Sequence, residues 1–445
     1  MKKLIALASS ALLASALLSS CAATVASSSS AAASGTADAA APAKTVELSV
    51  ATRFSGDDAT AVYYRKMVDE FNAQNNGVHV TMDNINTESD YLNKLRTSFA
   101  NGDTPNCFIE YGGSRVLDYL QSDALVDLKP YLDKDSAWYN AFYPSMWGTS
   151  KFDGHDGLYG IPCEAYIVVL YYNKDIFAKE GLTPPKSMDE LMTVSEKLKS
   201  DGIQPFAVGE KDVYRFGHLH NCIVLKSLGT DAVEQLASRK LAYDSPEMMK
   251  TYQVISDMVN KGYLGDNLLS MDSSTENSTF ENGGAAMHYE GSWYIANNLV
   301  GKDFYNKVGV VQFPYVNEAY KNVEQGGAST TWYVSKLNKS NEEIEASVSF
   351  LKYITSDAYF SGMNDAAAAL FPRSFTAGSS TKANPLMDDV TKIASEATAM
   401  RGDIQNYDTD SAMLDTVRNA LQSLAMGKTP QECADQIMQE VHSAG

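Results

Sequence analysis

The sequence predicts an α/β protein with mainly parallel sheets covered by helices on both faces. Segments that alternate apolar and polar residues are repeatedly followed by stretches with apolar residues at helical spacing. Several of the helical stretches open and close on recognisable capping residues. The scale fits: 445 residues, 44% apolar and 20% charged, is an ordinary folded mixture and long enough for two or three domains.

The chain begins Met1-Lys2-Lys3 and continues through an uncharged Ala/Leu/Ile-rich run over residues 4–18. That run is shorter than the ~20 residues a bilayer span requires and matches a signal-peptide apolar region. It ends at Leu18-Ser19-Ser20-Cys21, which resembles a bacterial lipobox. The resemblance implies cleavage after residue 20 and a lipid on the Cys21 sulfur. Residues 22–44 are Ala, Ser, Thr, Gly and Pro with one Val, one Asp and a closing Lys, too poor in large apolar side chains to offset the entropy of ordering. The expectation is a signal peptide over 1–20 and a disordered tether over 21–44 with a reach of roughly 25 Å.

From Thr45 to Val50 the alternation reads as a first strand, followed by a helix carrying Tyr64, Met67, Val68 and Phe71. Asn76-Gly77 turns the chain into a second strand through Val78, Val80 and Met82. Asp90 is placed to cap a helix bearing Leu92, Leu95 and Phe99, and Cys107 to Tyr111 reads as a third strand. Farther on, Ser187 and Glu190 form a capping-box pattern and Gly202 a helix stop; Ser340 and Glu343 form a second box. Gly427 closes one helix, and Thr429-Pro430-Gln431-Glu432 opens the last, with Cys433, Ile437 and Val441 on one face.

Composition removes several functions. With 36 Lys and Arg against 55 Asp and Glu, a formal charge of −19, the chain repels a phosphate backbone, so nucleic acid is not an expected partner. The same charge disfavours adsorption to anionic lipid, so membrane association needs an anchor. No zinc-protease, nucleophile-elbow, dinucleotide or phosphate-loop motif occurs. His218 and His220, read as one side of a strand, lack a third metal ligand, and Asp153, Asp156, Asp272 and Glu276 lack the spacing of a calcium loop. No metal or cofactor is expected. Cys107, Cys163, Cys222 and Cys433 have no metal-knuckle spacing; buried free thiols are the favoured reading, with disulfides open. Paired carboxylates leave a secreted glycosidase as a rival without positive support.

Positive signals come from longer segments. Tyr159-Gly160-Ile161-Pro162 runs on to Leu170-Tyr171-Tyr172-Asn173-Lys174-Asp175-Ile176-Phe177, then Gly181-Leu182, Pro184-Pro185 and Asp189-Glu190-Leu191. Phe280-Glu281-Asn282-Gly283-Gly284-Ala285-Ala286-Met287 is followed by Gly291-Ser292-Trp293. Together with Leu125-Val126-Asp127-Leu128, Gly326-Gly327 and Phe350-Leu351-Lys352-Tyr353-Ile354, these resemble the family 1 sugar-binding lipoproteins, extracellular solute-binding proteins of bacterial ABC importers similar to maltose-binding proteins. Three features depart from the family: Asn106 stands where an Asp usually follows Pro, Ser292 replaces a Pro, and no aromatic lies between Asp408 and Met413.

The resemblance implies two α/β lobes joined by crossing strands, of the type II periplasmic-binding kind, with residues 45–163 and 326–365 in the first and 164–325 and 366–445 in the second. It places a ligand in the cleft between them. A sugar offers apolar faces and a rim of hydroxyls, which calls for flat rings and planar donors and acceptors. The candidates are Arg53, Phe54 and Asp57 after the first strand and Glu110 and Tyr111 after the third. Glu164 and Tyr166 follow at the first crossing, with Trp293, Trp332 and Arg373 beyond. The implied function is capture of a mono- or oligosaccharide by lobe closure, without catalysis, by a monomer anchored outside the cytoplasm through Cys21, and delivery to the importer's membrane permease. Another polar solute, a polyamine or polyol phosphate, is the alternative ligand.

Overall fold

The computed structural model describes residues 45–443 except 55, 58, 86–87, 153, 368 and 377–383. The expected signal peptide, Cys21 and tether lie outside the described residues. Among the described residues, eight strands form the framework: β1 (Val46–Thr52), β2 (Val78–Asn84), β3 (Cys107–Glu110), β4 (Ile161–Asn173), β5 (Met287–Gly291), β6 (Val308–Gln312), β7 (Val323–Val334) and β8 (Ala399–Arg401). Their order is β2-β1-β3-β7-β4-β5, with β6 added to β4 and β8 to β7.

β4 and β7 define the architecture. The first half of β4 pairs with β7, from Ile161 opposite Trp332 to Ile167 opposite Gly326. Its second half pairs with β5 and β6. The C-terminal end of β7 lies against β3, while its N-terminal end lies against β8. Each long strand therefore belongs to two sheets and crosses between two lobes. Parallel pairing, expected to predominate, is confined to β1 with β2 and β3 and to β7 with β8. The other ladders are antiparallel because one crossing strand leaves the first lobe and the other returns to it.

The lobes have separate cores. Leu48, Val50, Phe71, Phe108, Ile109, Trp332 and Phe350 belong to the first. In the second, β4 alternates: Tyr166, Val168 and Leu170 face one apolar cluster, and Ile167, Val169 and Tyr171 face another. This is the two-residue period of a strand buried on both sides. The chain remains with the first core through Ala367, Phe371 and Phe375, past the 365–366 boundary expected from sequence, because these side chains pack there. It rejoins the second lobe with the helix Pro385–Glu396, whose Leu386, Met387 and Val390 pack on the outer cluster.

Local signals set the helix ends. Ser340 and Glu343 make the reciprocal capping box, and Thr429 and Glu432 exchange the same pair of bonds. Ser187 accepts from the Glu190 amide, but the Glu190 carboxylate reaches one residue farther back, to the Lys186 amide. Cys107, Cys163, Cys222 and Cys433 are buried free thiols.

Candidate ligand-binding cleft

The wall on the first lobe is built where β1, β3, β4 and β7 meet. Arg53, one residue beyond β1, donates from Nη2 to Thr330 Oγ1 at 2.6 Å and lies 3.5 Å from the Glu164 carboxylate. Thr330 in turn donates to Glu164. The Arg53 guanidinium sits over the Tyr111 ring, 4.8 Å from its centroid, and Arg115 lies over the same ring at 5.3 Å. Glu110 is buried and accepts from the Tyr111 amide. Register disturbances between Pro162 and Ala165 aim Glu164 here, since a bulge redirects a side chain without ending the strand.

On the second lobe the wall is aromatic. Tyr166 and Trp293 stand 5.5 Å apart at 41°, and the half-buried Trp293 ring also meets His218 at 5.9 Å. Tyr214 extends the row, 5.2 Å from His218. Gly291 makes room: a Cβ there would fall 2.2 Å from the indole of Trp293. Behind the rings lies Asp403, which accepts from Asn221 Nδ2 at 2.8 Å, Gln325 Nε2 at 3.1 Å and Arg418 Nη2 at 2.8 Å. Burial alone would push its carboxyl up, but Arg418, His218 and Arg115 hold it below the usual carboxylate range. Burial pushes His218 down to about 4 against the pull of Asp403, so its ring is neutral at pH 7.

Deeper still, the buried Arg215 binds Glu276 at 2.8 Å through Nε and Glu290 through Nη2, and its guanidinium stacks on Tyr214 at 4.9 Å. Glu290 is held low by Arg215 despite its burial. A charged cluster thus fixes the helix Arg215–Leu228 beneath the aromatic wall.

The two walls meet. Gly113 of the first lobe approaches Asn406 of the second, and Gly148 approaches Tyr407. Beside these contacts lies a cavity of about 140 Å³ lined by Arg96, Glu110, Arg115 and Asp118 on one side and Leu414 and Asp415 on the other. Drug-sized pockets begin at ~300 Å³, whereas a void of ~150 Å³ admits one six-membered ring.

Of the sequence candidates, the structure groups Arg53, Phe54, Glu110, Tyr111 and Glu164 on one wall and Tyr166 with Trp293 on the other. It sets three apart. Trp332 is a core residue, 1% exposed, stacked on Tyr64 and edge-on to Phe350, because the alternation of β7 turns it inward. Arg373 binds Asp357 and the Thr355 carbonyl and spreads over Phe142 and Phe360, pinning its segment to the first lobe. Asp57 is exposed, 3.9 Å from Arg65, whereas Phe54, packed on Tyr64 at 5.3 Å, has the Arg53 guanidinium 5.7 Å from its ring and borders a hollow with Glu164. His218 and His220 lie on a helix rather than a strand, and His220 turns away to stack on Tyr252. Sequence reasoning missed Arg115, Tyr214, Asp403 and Arg418. Among the described residues, no cluster of His, Cys, Asp or Glu is arranged to hold a metal ion.

Two lobes sharing crossing strands, with rings on one wall and ion-paired polar groups on the other, define a two-lobed binding protein. The chain belongs to the bacterial extracellular solute-binding protein family, whose sequence profile matches residues 57–359. A chitin oligosaccharide binding protein superposes with a TM-score of 0.80 at 23% identity, over 90% of this chain and 100% of that one. The multiple sugar-binding protein of Streptococcus mutans is 23% identical over 302 residues, 65% of this chain and 67% of that protein. The sn-glycerol-3-phosphate-binding periplasmic protein of Shigella flexneri serotype 5b is 31% identical over 230 residues, 48% of each chain. Of three curated relatives that it matches, the chain spans 36%, 60% and 48% of the length.

Proposed function

We propose that this chain is the receptor of an ABC importer for a mono- or oligosaccharide, which it captures by lobe closure and hands unchanged to a membrane permease. The observation that carries this reading is the Tyr166–Trp293 ring pair opposite the Arg53–Glu164–Thr330 cluster. Rings suit the apolar faces of a sugar, and a guanidinium beside a carboxylate offers a donor and an acceptor to neighbouring hydroxyls. Relatives described as binding chitin oligosaccharides and multiple sugars support it. A ligand touching both walls stabilises the closed arrangement by its difference in affinity for the two states. Micromolar binding requires only ~8 kcal/mol.

The receptor acts as a monomer outside the cytoplasm, held at the membrane by lipid on Cys21 across the tether of residues 22–44. Cys21→Ser is expected to release it into the soluble fraction, and membrane fractionation reads this directly.

A polyol phosphate is the second reading, favoured by the Shigella relative and by Arg96 and Arg115 in the cavity. Glu110, Asp118 and Asp415 outnumber those arginines and oppose an anion. A thermal-shift screen over a carbohydrate library with sn-glycerol 3-phosphate included decides between them, since a ligand of the native state raises the melting temperature. Stabilisation by a sugar is expected. Stabilisation by the phosphate alone, or turnover of chromogenic glycosides, overturns the reading.

A further inference from the structure

We propose that Asp403 is the positioning residue that couples lobe closure to the aromatic wall. The proposal rests on the sugar-receptor reading for its ligand and on geometry for everything else.

Asp403 gathers four separate parts of the chain. Asn221 and His218 come from the helix Arg215–Leu228, Gln325 from β7, Arg418 from the helix Met413–Ala425, and Asp403 itself from the segment that follows β8. One oxygen, Oδ1, accepts from Asn221 and Gln325 and lies 3.8 Å from His218 Nε2; the other accepts from Arg418. An ionised carboxylate is acceptor-only and takes the Asn221, Gln325 and Arg418 donors at once, with the His218 ring beside them beyond hydrogen-bond distance.

Each partner leads to a working part. His218 touches the Trp293 ring. Gln325 immediately precedes Gly326, where a Cβ would fall 2.4 Å from the Tyr166 carbonyl, so Gln325 fixes β7 where it crosses between lobes. Asp403 also anchors the turn 402–407: its carbonyl accepts from the Asn406 amide, and Asn406 and Tyr407 are the residues that meet Gly113 and Gly148 of the first lobe. From that lobe, the Arg115 charge reaches Asp403. The carboxylate therefore holds the helix that supports the ring and the crossing strand, while the backbone carbonyl of the same residue holds the closing turn. When the lobes separate, Arg115 withdraws and the set of donors is left to the second lobe alone.

The test compares the full chain with Asp403→Asn, Arg115→Gln and the double variant, by small-angle scattering without ligand and by calorimetry with the sugar that most stabilises the wild type. In Asp403→Asn the new amide NH₂ faces donors, so the cluster cannot be completed. The expected results are a larger radius of gyration without ligand and affinity weaker by about tenfold or more. Because Arg115 acts through Asp403, adding Arg115→Gln to Asp403→Asn should enlarge the defect little, a non-additivity that loss of stability alone does not produce. Wild-type scattering in Asp403→Asn, or strict additivity with Arg115→Gln, overturns the proposal. If Asp403→Asn does not fold, Arg115→Gln, which leaves the second lobe intact, decides alone: unchanged ligand-free compactness is the refuting result. If no carbohydrate binds the wild type, the functional reading fails, while the scattering comparison still judges Asp403.

Discussion

Gly113 and Asn406 approach so closely across the cleft that a Cβ on Gly113 would lie 2.2 Å from the Asn406 carbonyl oxygen. Gly113 also holds φ at +59°, a region glycine enters at little cost. Gly113→Val should therefore hold the lobes apart. Calorimetry is expected to show a loss of ligand affinity larger than any loss of ligand-free stability measured in urea. Equal losses in both would make Gly113 a folding residue only.

Trp293 is supported by Tyr166 and His218 but remains half-buried. Trp293→Ala should remove ~1.5–3 kcal/mol of apolar contact with a bound sugar, roughly a ten- to hundredfold fall in affinity. Trp332→Ala should behave differently: it empties a core site between Tyr64 and Phe350 and is expected to cost ~3–5 kcal/mol of stability. Melting and calorimetry on the two variants separate the roles.

Arg215, Glu276 and Glu290 are buried together. Arg215→Met leaves two carboxylates uncompensated and should destabilise by ~3–5 kcal/mol in urea unfolding. Adding Glu276→Gln and Glu290→Gln should recover part of that loss, because it removes the charges left behind.

Stability should vary with pH through two groups of opposite sign. Burial pushes Glu210 up to about 8, so its contribution is fully present below its unfolded value near 4.5 and is lost as pH rises toward 8. Burial pushes His220 down to about 3, so its contribution is complete above its unfolded value near 6.5 and is lost as pH falls toward 3. Glu210→Gln should gain in melting temperature over the wild type as pH moves from 5 to 8. A constant difference across that range would show that Glu210 does not carry this dependence.

Burial raises all four described thiols, Cys107 and Cys433 to about 12 and Cys163 and Cys222 well above their usual value. In a chain carrying Cys21→Ser, no thiol should react rapidly with a disulfide reagent in the folded state, and four should react in denaturant. A count below four without reductant would reveal a disulfide.

Much of the frame was legible because it is written in short-range pattern. Strands β1 and β2 follow from alternation, and Ser340 and Thr429 mark helix starts through a hydroxyl and a glutamate three residues on. Asp90 was less informative: its helix begins at Glu88, so it sits in the first turn rather than at the cap. The strand reading of His218 fails because the segment from Arg215 to Lys226 mixes polar and apolar side chains on every face, all of them buried, and Tyr214 provides no side-chain cap, leaving helix and strand equally written. The cleft was legible only in part. Rings flanking glycines and crossing strands pointed to Tyr166 and Trp293, but the same rule selected Trp332, whose inward direction depends on the phase of β7. Asp403 has no local signature; its importance arises from donors 182 and 78 residues earlier in the chain, on helix Arg215–Leu228 and β7.

β4 runs through both lobes without a break, so the lobes share one count of residues. The irregular register at 162–165 sets that count just before Tyr166. Deleting a single residue there would turn over every later side chain of the strand, presenting Ile167 where Tyr166 now stands and sending the phenol toward the outer cluster, while the first core kept its packing. Homologues that lengthen or shorten this junction by an odd number would need a compensating change elsewhere in β4 to keep an aromatic ring beside Trp293.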